Sequence, residues 1–199
     1  FSGIKEVLPG EYVVCSHSGI TKRLYYRIRS VPHTDSYEET IEKTRWLVTD
    51  SVHRQMISDV PICTFLSGGI DSSIVTSICC KYMNKGEQLD TYSFDYEDNN
   101  VHFKANSFQP SQDRPYVDIM KDYLNTNHTY LTCRYDMLAD LLYDSVDSRC
   151  LPTMADVDSS LLYFCGEVAK KHKVALTGEC ADEIFGGYPW FHKEEMLKA

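Results

Sequence analysis

Residues 65–73 read Phe-Leu-Ser-Gly-Gly-Ile-Asp-Ser-Ser, an apolar run that ends in a serine- and glycine-rich turn. Gly68 and Gly69 let the backbone approach a ligand with no Cβ in the way, and they tolerate positive φ where it is needed. The N–H groups of such a turn and of the helical turn after it, with the hydroxyls of Ser67, Ser72 and Ser73, form a site for phosphate oxygens. The pattern is not G-x-G-x-x-G, and it lacks the Gly-Lys-Ser/Thr whose lysine would neutralise β- and γ-phosphates. Asp71 stands where a lysine would help. A carboxylate beside a phosphate is repulsive unless a cation intervenes, so Asp71 implies Mg2+, held partly by the phosphates of the nucleotide.

The second segment of this kind is Val-Ala-Leu-Thr-Gly-Glu-Cys-Ala-Asp-Glu-Ile-Phe-Gly-Gly, residues 174–187. Another short apolar run ends at Thr177-Gly178, followed by Glu179, Asp182 and Glu183. In a doubly wound sheet, ligands sit beyond the carboxyl ends of the strands. Asp182 is the natural second Mg2+ ligand, and Glu179 is placed to orient or deprotonate a nucleophile. Acidic residues at a helix start also serve as dipole and capping partners. The first loop is what weights the catalytic reading over that one.

These loops need strands to carry them. Val60–Leu66, Leu89–Tyr96, His128–Thr132 and Val174–Thr177 read as short strands. Helices are expected over Ser72–Tyr82, Tyr116–Leu124, Tyr135–Val146 and Asp156–Lys171. Before them, Tyr37, Ile41, Val48, Val52 and Met56 mark one face of a helix of about 20 residues. Strands alternating with helices predict an α/β fold, a mostly parallel sheet with helices on both faces. Residues 1–30 differ: VLPGEYVVCS and ITKRLYYRI read as a β-hairpin turning at Ser16–Gly19. A lone hairpin is barely stable, so it is expected to pack on something else. Residues 31–36 form a linker, with a helix cap at Asp35 or Ser36. The polar stretch 97–112 is a binding loop or lid in one reading and a disordered surface insertion in the other.

Composition narrows the function further. The 199 residues carry 20 Lys plus Arg against 29 Asp plus Glu, a formal charge of −9. So acidic a chain argues against non-specific nucleic-acid binding and against a polybasic membrane contact. No run approaches the length of a membrane-spanning helix, and the opening residues lack a signal-peptide pattern. Eight cysteines follow no disulfide or metal framework. Cys63, Cys79, Cys80 and Cys165 sit in apolar segments where a small hydrophobe packs well, so reduced thiols in a cytoplasmic protein are expected.

Ser67-Gly68-Gly69-Ile70-Asp71-Ser72 resembles the pyrophosphate-binding loop (PP-loop) of the N-type ATP pyrophosphatases, whose fold is that of the adenine nucleotide alpha hydrolases. Thr177-Gly178-Glu179-Cys180-Ala181-Asp182-Glu183, with Phe185-Gly186-Gly187-Tyr188, resembles the second signature of glutamine-hydrolysing asparagine synthetases. The resemblance implies an AMP-forming ligase of asparagine biosynthesis. In that family ATP adenylates the side-chain carboxylate of aspartate, pyrophosphate leaves, and glutamine-derived ammonia attacks the β-aspartyl-AMP. It further implies that Ser67 to Ser72 hold pyrophosphate, that Leu66, Thr177 and Gly178 lie near the adenosine, and that backbone around Tyr96 reads adenine. Asp71 and Asp182 would share Mg2+, and Glu179 would serve the ammonia step or contact substrate. Cys180 stands where many members have glycine.

The stretch Leu151–Ser160 resembles the segment before a core helix on the substrate side. There Asp156 or Asp158 reads as a helix cap, and Arg149 is the nearest cation for phosphate or the aspartate carboxylate. On this resemblance residues 1–30 are the final strands of a glutaminase domain whose catalytic cysteine lies outside the sequence. Residues 37–199 are an incomplete synthetase domain, expected to bind nucleotide at most when alone. The substrates and partners implied are ATP, aspartate and ammonia from the glutaminase domain, with no nucleic acid and no membrane. A homodimer is compatible with the sequence. Alternatives are a β-lactam synthetase-like or other amide-forming ATP pyrophosphatase, and a non-catalytic nucleotide-binding domain of the same fold.

Overall fold

The computed structural model describes residues 2–105, 111–152 and 154–197. The chain divides after Lys43 into two compact units. The first holds an antiparallel hairpin, β1 (Glu11–Ser16) and β2 (Gly19–Leu24), with Glu11 opposite Leu24 and Ser16 opposite Gly19. Its Tyr12, Val14, Ile20 and Leu24 are exposed. Helix α1 (Tyr37–Gln55) starts in this unit. Ser36 is the cap: its Oγ accepts from the N–H of Glu39 at 3.2 Å, and Glu39 Oε2 accepts from the N–H of Ser36 at 2.8 Å. This reciprocal pair satisfies two donors that a helix start otherwise leaves open.

The second unit is built on four parallel strands: β3 (Ile62–Phe65), β4 (Asp90–Tyr96), β5 (Asn127–Cys133) and β6 (Val174–Leu176). Their order is β5-β4-β3-β6. The helices between them are α2 (Ile70–Tyr82), α3 (Asn99–His102), α4 (Arg114–Leu124), α5 (Tyr135–Arg149) and α6 (Ala155–Ala169), and α7 (Ala181–Phe185) and α8 (Glu194–Leu197) follow β6. The short α3 lies within the polar stretch read as a loop, of which residues 106–110 are outside the described residues.

Two cores line the two faces of the sheet. On one face Val52, Ile78, Cys79 and Leu89 pack with Val48, Met56, Ile62 and Leu176, bringing α1 and α2 against the strands. Thr64, one residue out of phase with Cys63, bonds Thr76 of α2 across this face at 3.0 Å. On the other face Cys63, Tyr92 and Val168 pack with Phe65, Phe94, Leu131 and Ala175, and Phe94 stacks on Phe164 of α6 at 4.3 Å between centroids. The two-residue period of a strand thus separates Cys63 and Phe65 from Ile62 and Thr64. With helices on both faces, β3 and β6 are nearly continuous apolar runs, whereas β4 alternates Thr91, Ser93 and Asp95 with Tyr92, Phe94 and Tyr96.

Tyr37 and Ile41, counted with the buried stripe of α1, are exposed, whereas Val48, Val52 and Met56 reach the core. Among the cysteines grouped as core residues, Cys63 and Cys79 are buried, Cys80 is half-buried and Cys165 is exposed. Burial pushes the Cys63 thiol up to about 11 and that of Cys79 to about 12, so both stay protonated and unreactive at neutral pH. Among the described residues no helix is long and apolar enough to cross a membrane.

At the amino ends of the strands Asp90 accepts from Lys171 at 2.8 Å, from the buried His172 at 2.9 Å and from Asn127. Burial alone would raise the Asp90 carboxyl, but the hydrogen bonds from Lys171 and Asn127 outweigh it and hold it below its ordinary value. His128, on β5, has no such acid. Its Nδ1 pairs with Thr91 Oγ1 at 2.8 Å, and its buried Nε2 has no partner among the described residues. Burial, then the charge of Lys121, lowers it from 6.5 to about 4. The folded state therefore binds this proton less readily than the unfolded chain. The stability it contributes is complete above pH 6.5 and is lost as pH falls toward 4, up to about 3 kcal/mol. In His128→Gln that component of acid sensitivity should vanish; denaturant melts of both proteins at pH 7, 5.5 and 4.5 will show a stability difference that changes with pH. A constant difference would mean that His128 titrates alike in both states.

Candidate active site

The strand order places a switch point beside β3. From β3 the chain moves outward to β4 and β5 and then returns to lay β6 on the opposite side. Connections leaving adjacent strands in opposite directions open a crevice at their carboxyl ends. The two glycine-bearing segments identified in the sequence emerge there, from β3 and from β6.

The first loop is anchored by Leu66. Its side chain is buried, its N–H donates to the Tyr92 carbonyl at 2.8 Å, and its carbonyl accepts from Ser93 Oγ. Gly68 follows at φ +80, where a Cβ would lie 2.7 Å from Tyr116 Cβ and 2.9 Å from Val117 N. Both the left-handed backbone and the start of α4 therefore require glycine. Gly69 is the N-cap of α2 at φ −68, with no side-chain cap. Ser72, buried, closes the loop internally: its Oγ accepts from the N–H of Ser67 at 3.2 Å, donates to the Gly69 carbonyl at 3.2 Å and lies 3.0 Å from Ser67 Oγ. Ser67 is exposed and Ser73 half-buried. The first intrahelical bond of α2 runs from Ser73 N–H to the Gly69 carbonyl at 3.1 Å, so the N–H groups of Ile70 and Ser72 have no intrahelical acceptor, while that of Asp71 bonds its own carboxylate. Orphan donors at the positive end of a thirteen-residue helix are the elements of an anion site.

The second loop presses directly on the first. A Cβ on Gly178 would lie 2.6 Å from Ser72 N and 2.7 Å from Asp71 C. Thr177, exposed, accepts at Oγ1 from the N–H of Glu179 at 3.4 Å. Cys180 then takes φ +71 as the N-cap of α7. For a residue with a Cβ this left-handed conformation costs about 1–2 kcal/mol, which is the physical reason glycine suits this position. The exposed Glu179 accepts no hydrogen bond at its carboxylate among the described residues, though its charge reaches the Cys165 thiol. Glu183 accepts from Tyr188 Oη at 3.2 Å.

Asp71, on the first turn of α2, lies within electrostatic reach of Asp182 on α7. Partial burial raises the Asp71 carboxyl above its ordinary value, and the negative charge of Asp182 adds to the shift. No ion pair links either to a basic side chain among the described residues. Two like-charged, unneutralised carboxylates beside orphan N–H groups suit a divalent cation carried in with phosphates. Among the described residues no group of three or more potential ligands gathers to hold a metal by protein alone. Mg2+ characteristically takes one or two carboxylates, with substrate phosphates and water completing its octahedron, so the donor set fits.

Tyr96 lies at the end of β4, half-buried, its ring 6.3 Å from that of Tyr135 and its N–H bonded to Asp95 Oδ1 at 2.8 Å. Arg149 is not a free cation for a substrate: it pairs at 2.6 Å with the nearly buried carboxylate of Asp158. Asp158 is in turn not a cap. It lies inside α6, where its own N–H bonds the Met154 carbonyl at 2.9 Å. Stripping the guanidinium from so buried a carboxylate would strand its charge, which is why the pair overrides both sequence readings. The Asp156 side chain lies outside the described residues. The contact of Gly68 with α4 and that of Gly187 with Asp182 went unforeseen; the glycines were visible in the motifs, but not their neighbours.

The family model described as asparagine synthase matches residues 43–199. Asparagine synthetase (glutamine-hydrolyzing) 3 of Bacillus subtilis is 46% identical over 98% of this chain and 32% of its own length. Asparagine synthetase B (glutamine-hydrolyzing) of Escherichia coli is 30% identical over 98% of this chain and 36% of its own. The chain thus spans about a third of the length of these curated relatives. Among solved structures, the glutamine-dependent NAD+ synthetase from Acinetobacter baumannii, in complex with ADP, superposes with a TM-score of 0.45 at 15% identity, covering 85% of this chain and 32% of that one.

Proposed function

The chain belongs to the asparagine synthase family, and we propose that the crevice between β3 and β6 binds ATP and activates the side-chain carboxylate of aspartate for amide formation. The observation that carries this reading is the Asp71 carboxylate, within reach of the charge of Asp182, beside the orphan N–H groups of Ile70 and Ser72. In the reaction proposed, a carboxylate oxygen of aspartate attacks the α-phosphorus, the bond from that phosphorus to the bridging oxygen breaks, and pyrophosphate leaves. Ammonia then attacks the acyl carbon of the β-aspartyl adenylate, losing a proton as AMP departs.

Each group of the chain takes a part in that sequence. The loop from Ser67 to Ser73 receives the departing pyrophosphate on preorganised donors, which need no reorientation as charge develops. Thr177 and Gly178 border the nucleoside side with Leu66 beneath, and the backbone near Tyr96 contacts adenine. Asp71 and Asp182 would hold Mg2+, which would neutralise the phosphate charge. Glu179, with its carboxylate unbonded, faces substrate or takes the ammonia proton. Ammonia comes from glutamine hydrolysed elsewhere in the full-length protein, and residues 1–30 form the end of that glutaminase domain. Residues 31–36 are then its linker to the synthetase part, 37–199.

The test is ATP–pyrophosphate exchange by the full-length protein with aspartate and other carboxylates in parallel. Exchange that requires aspartate is expected. Exchange driven better by a different carboxylate would replace the substrate, and none with any carboxylate would overturn the adenylation reading.

A further inference from the structure

We infer that Gly187 is the positioning residue for Asp182, setting the orientation of its carboxylate by leaving open the space that the carboxylate occupies. The inference rests on Asp182 serving the Mg2+–nucleotide site proposed above. After α7 the chain doubles back: Gly186 takes φ +71 at the C-cap, and the N–H of Gly187 donates to the Asp182 carbonyl at 3.0 Å. A Cβ built on Gly187 would fall 1.8 Å from Asp182 Oδ1 and 2.8 Å from its Cγ. The carboxylate therefore occupies the volume that a side chain at 187 would fill.

Gly187 itself lies outside the left-handed region. An L-residue could follow this backbone, so what an added Cβ would displace is the Asp182 carboxylate, the far end of a side chain that can turn away. The next residue separates the two adjacent acids of α7. Tyr188 Oη ties Glu183 at 3.2 Å, whereas Asp182 accepts no side-chain hydrogen bond among the described residues and is held by packing alone. One return of the chain thus fixes one carboxylate with a partner and leaves the other oriented but unpaired. A carboxylate that is to share a cation must remain in that second condition. Groups that orient metal-binding carboxylates typically matter 10- to 100-fold in metal affinity.

The experiment is calorimetric titration of ATP into full-length wild type, Gly187→Ala, Asp182→Glu and Asp182→Asn, each with Mg2+ and with EDTA. Gly187→Ala is expected to weaken Mg2+-dependent binding about 10- to 100-fold while leaving binding in EDTA unchanged. Asp182→Glu keeps the charge but outgrows the cradle, and it should show the same loss. Wild-type Mg2+ dependence in Gly187→Ala would overturn the inference, and so would equal weakening with and without Mg2+, the mark of a merely structural role. Should Gly187→Ala not fold, Asp182→Glu decides alone: wild-type behaviour overturns the inference, and a selective loss with Mg2+ supports it. A normal Mg2+ response in Asp182→Asn would instead remove the site reading on which the inference rests.

Discussion

Replacing Asp71 with alanine in the full-length protein is expected to lower ATP–pyrophosphate exchange by two orders of magnitude or more, about 3 kcal/mol of transition-state stabilisation, and to leave glutamine hydrolysis intact. The electrostatics of the crevice make the expectation asymmetric between function and folding. Asp71 is partly buried and faces the charge of Asp182 with no basic side chain paired to either among the described residues. Removing one of two like charges relieves that repulsion, so the melting temperature of the nucleotide-free protein should hold or rise. Exchange should nevertheless collapse, because the Mg2+ that the pair is proposed to share would lose half its protein anchorage. Normal exchange by Asp71→Ala would sink the metal assignment. Loss of exchange together with a much lower melting temperature would instead make Asp71 a structural residue of α2.

The two strands that carry the loops, β3 and β6, were legible because they are short, apolar and bounded by turn residues. Ile62–Phe65 and Val174–Leu176 have almost no polar alternation, as strands covered on both faces must. The helix start was legible as a cap at Asp35 or Ser36, each followed by a glutamate three residues on, and the structure chooses Ser36 with Glu39. Periodicity states which residues share a helix face but not what lies opposite it. Tyr37 and Ile41 accordingly continue the stripe of Val48 and Val52 in sequence and yet are exposed in the fold. Long-range pairings were hidden for the same reason. Arg149 looked like a spare cation because Asp158, its partner, sits in the next helix and reads locally as a cap. The glycines of both motifs announced close approach, but what approaches is set by the strand order, which brings the end of β6 onto the first turn of α2.

That last contact carries the second large effect. Gly178→Ala is expected to destabilise the protein by about 1–3 kcal/mol, the usual cost of overpacking, and to weaken ATP binding at least tenfold (about 1.4 kcal/mol). The backbone of Gly178 lies outside the left-handed region, so alanine meets no conformational penalty there and the whole effect is steric. Its methyl group would sit 2.6 Å from Ser72 N, 2.7 Å from Asp71 C and 2.9 Å from Asp71 Cβ. None of these is the far end of a flexible side chain. Relief requires moving either the first turn of α2 or the end of β6, and both are tied down. Ser72 closes the first loop through Ser67 and Gly69, while Leu176, two residues before Gly178, is in register with Thr64 of β3. Whichever yields, Asp71 and the orphan N–H groups of Ile70 and Ser72 shift relative to Asp182, so stability and nucleotide affinity should fall together. Denaturant melts and ATP titrations of Gly178→Ala, with Gly166→Ala as a control at a helical position where a Cβ meets nothing within 4 Å, will separate this from a general intolerance of added side chains. Wild-type affinity in a destabilised Gly178→Ala protein would show that the junction supports the fold without setting the site.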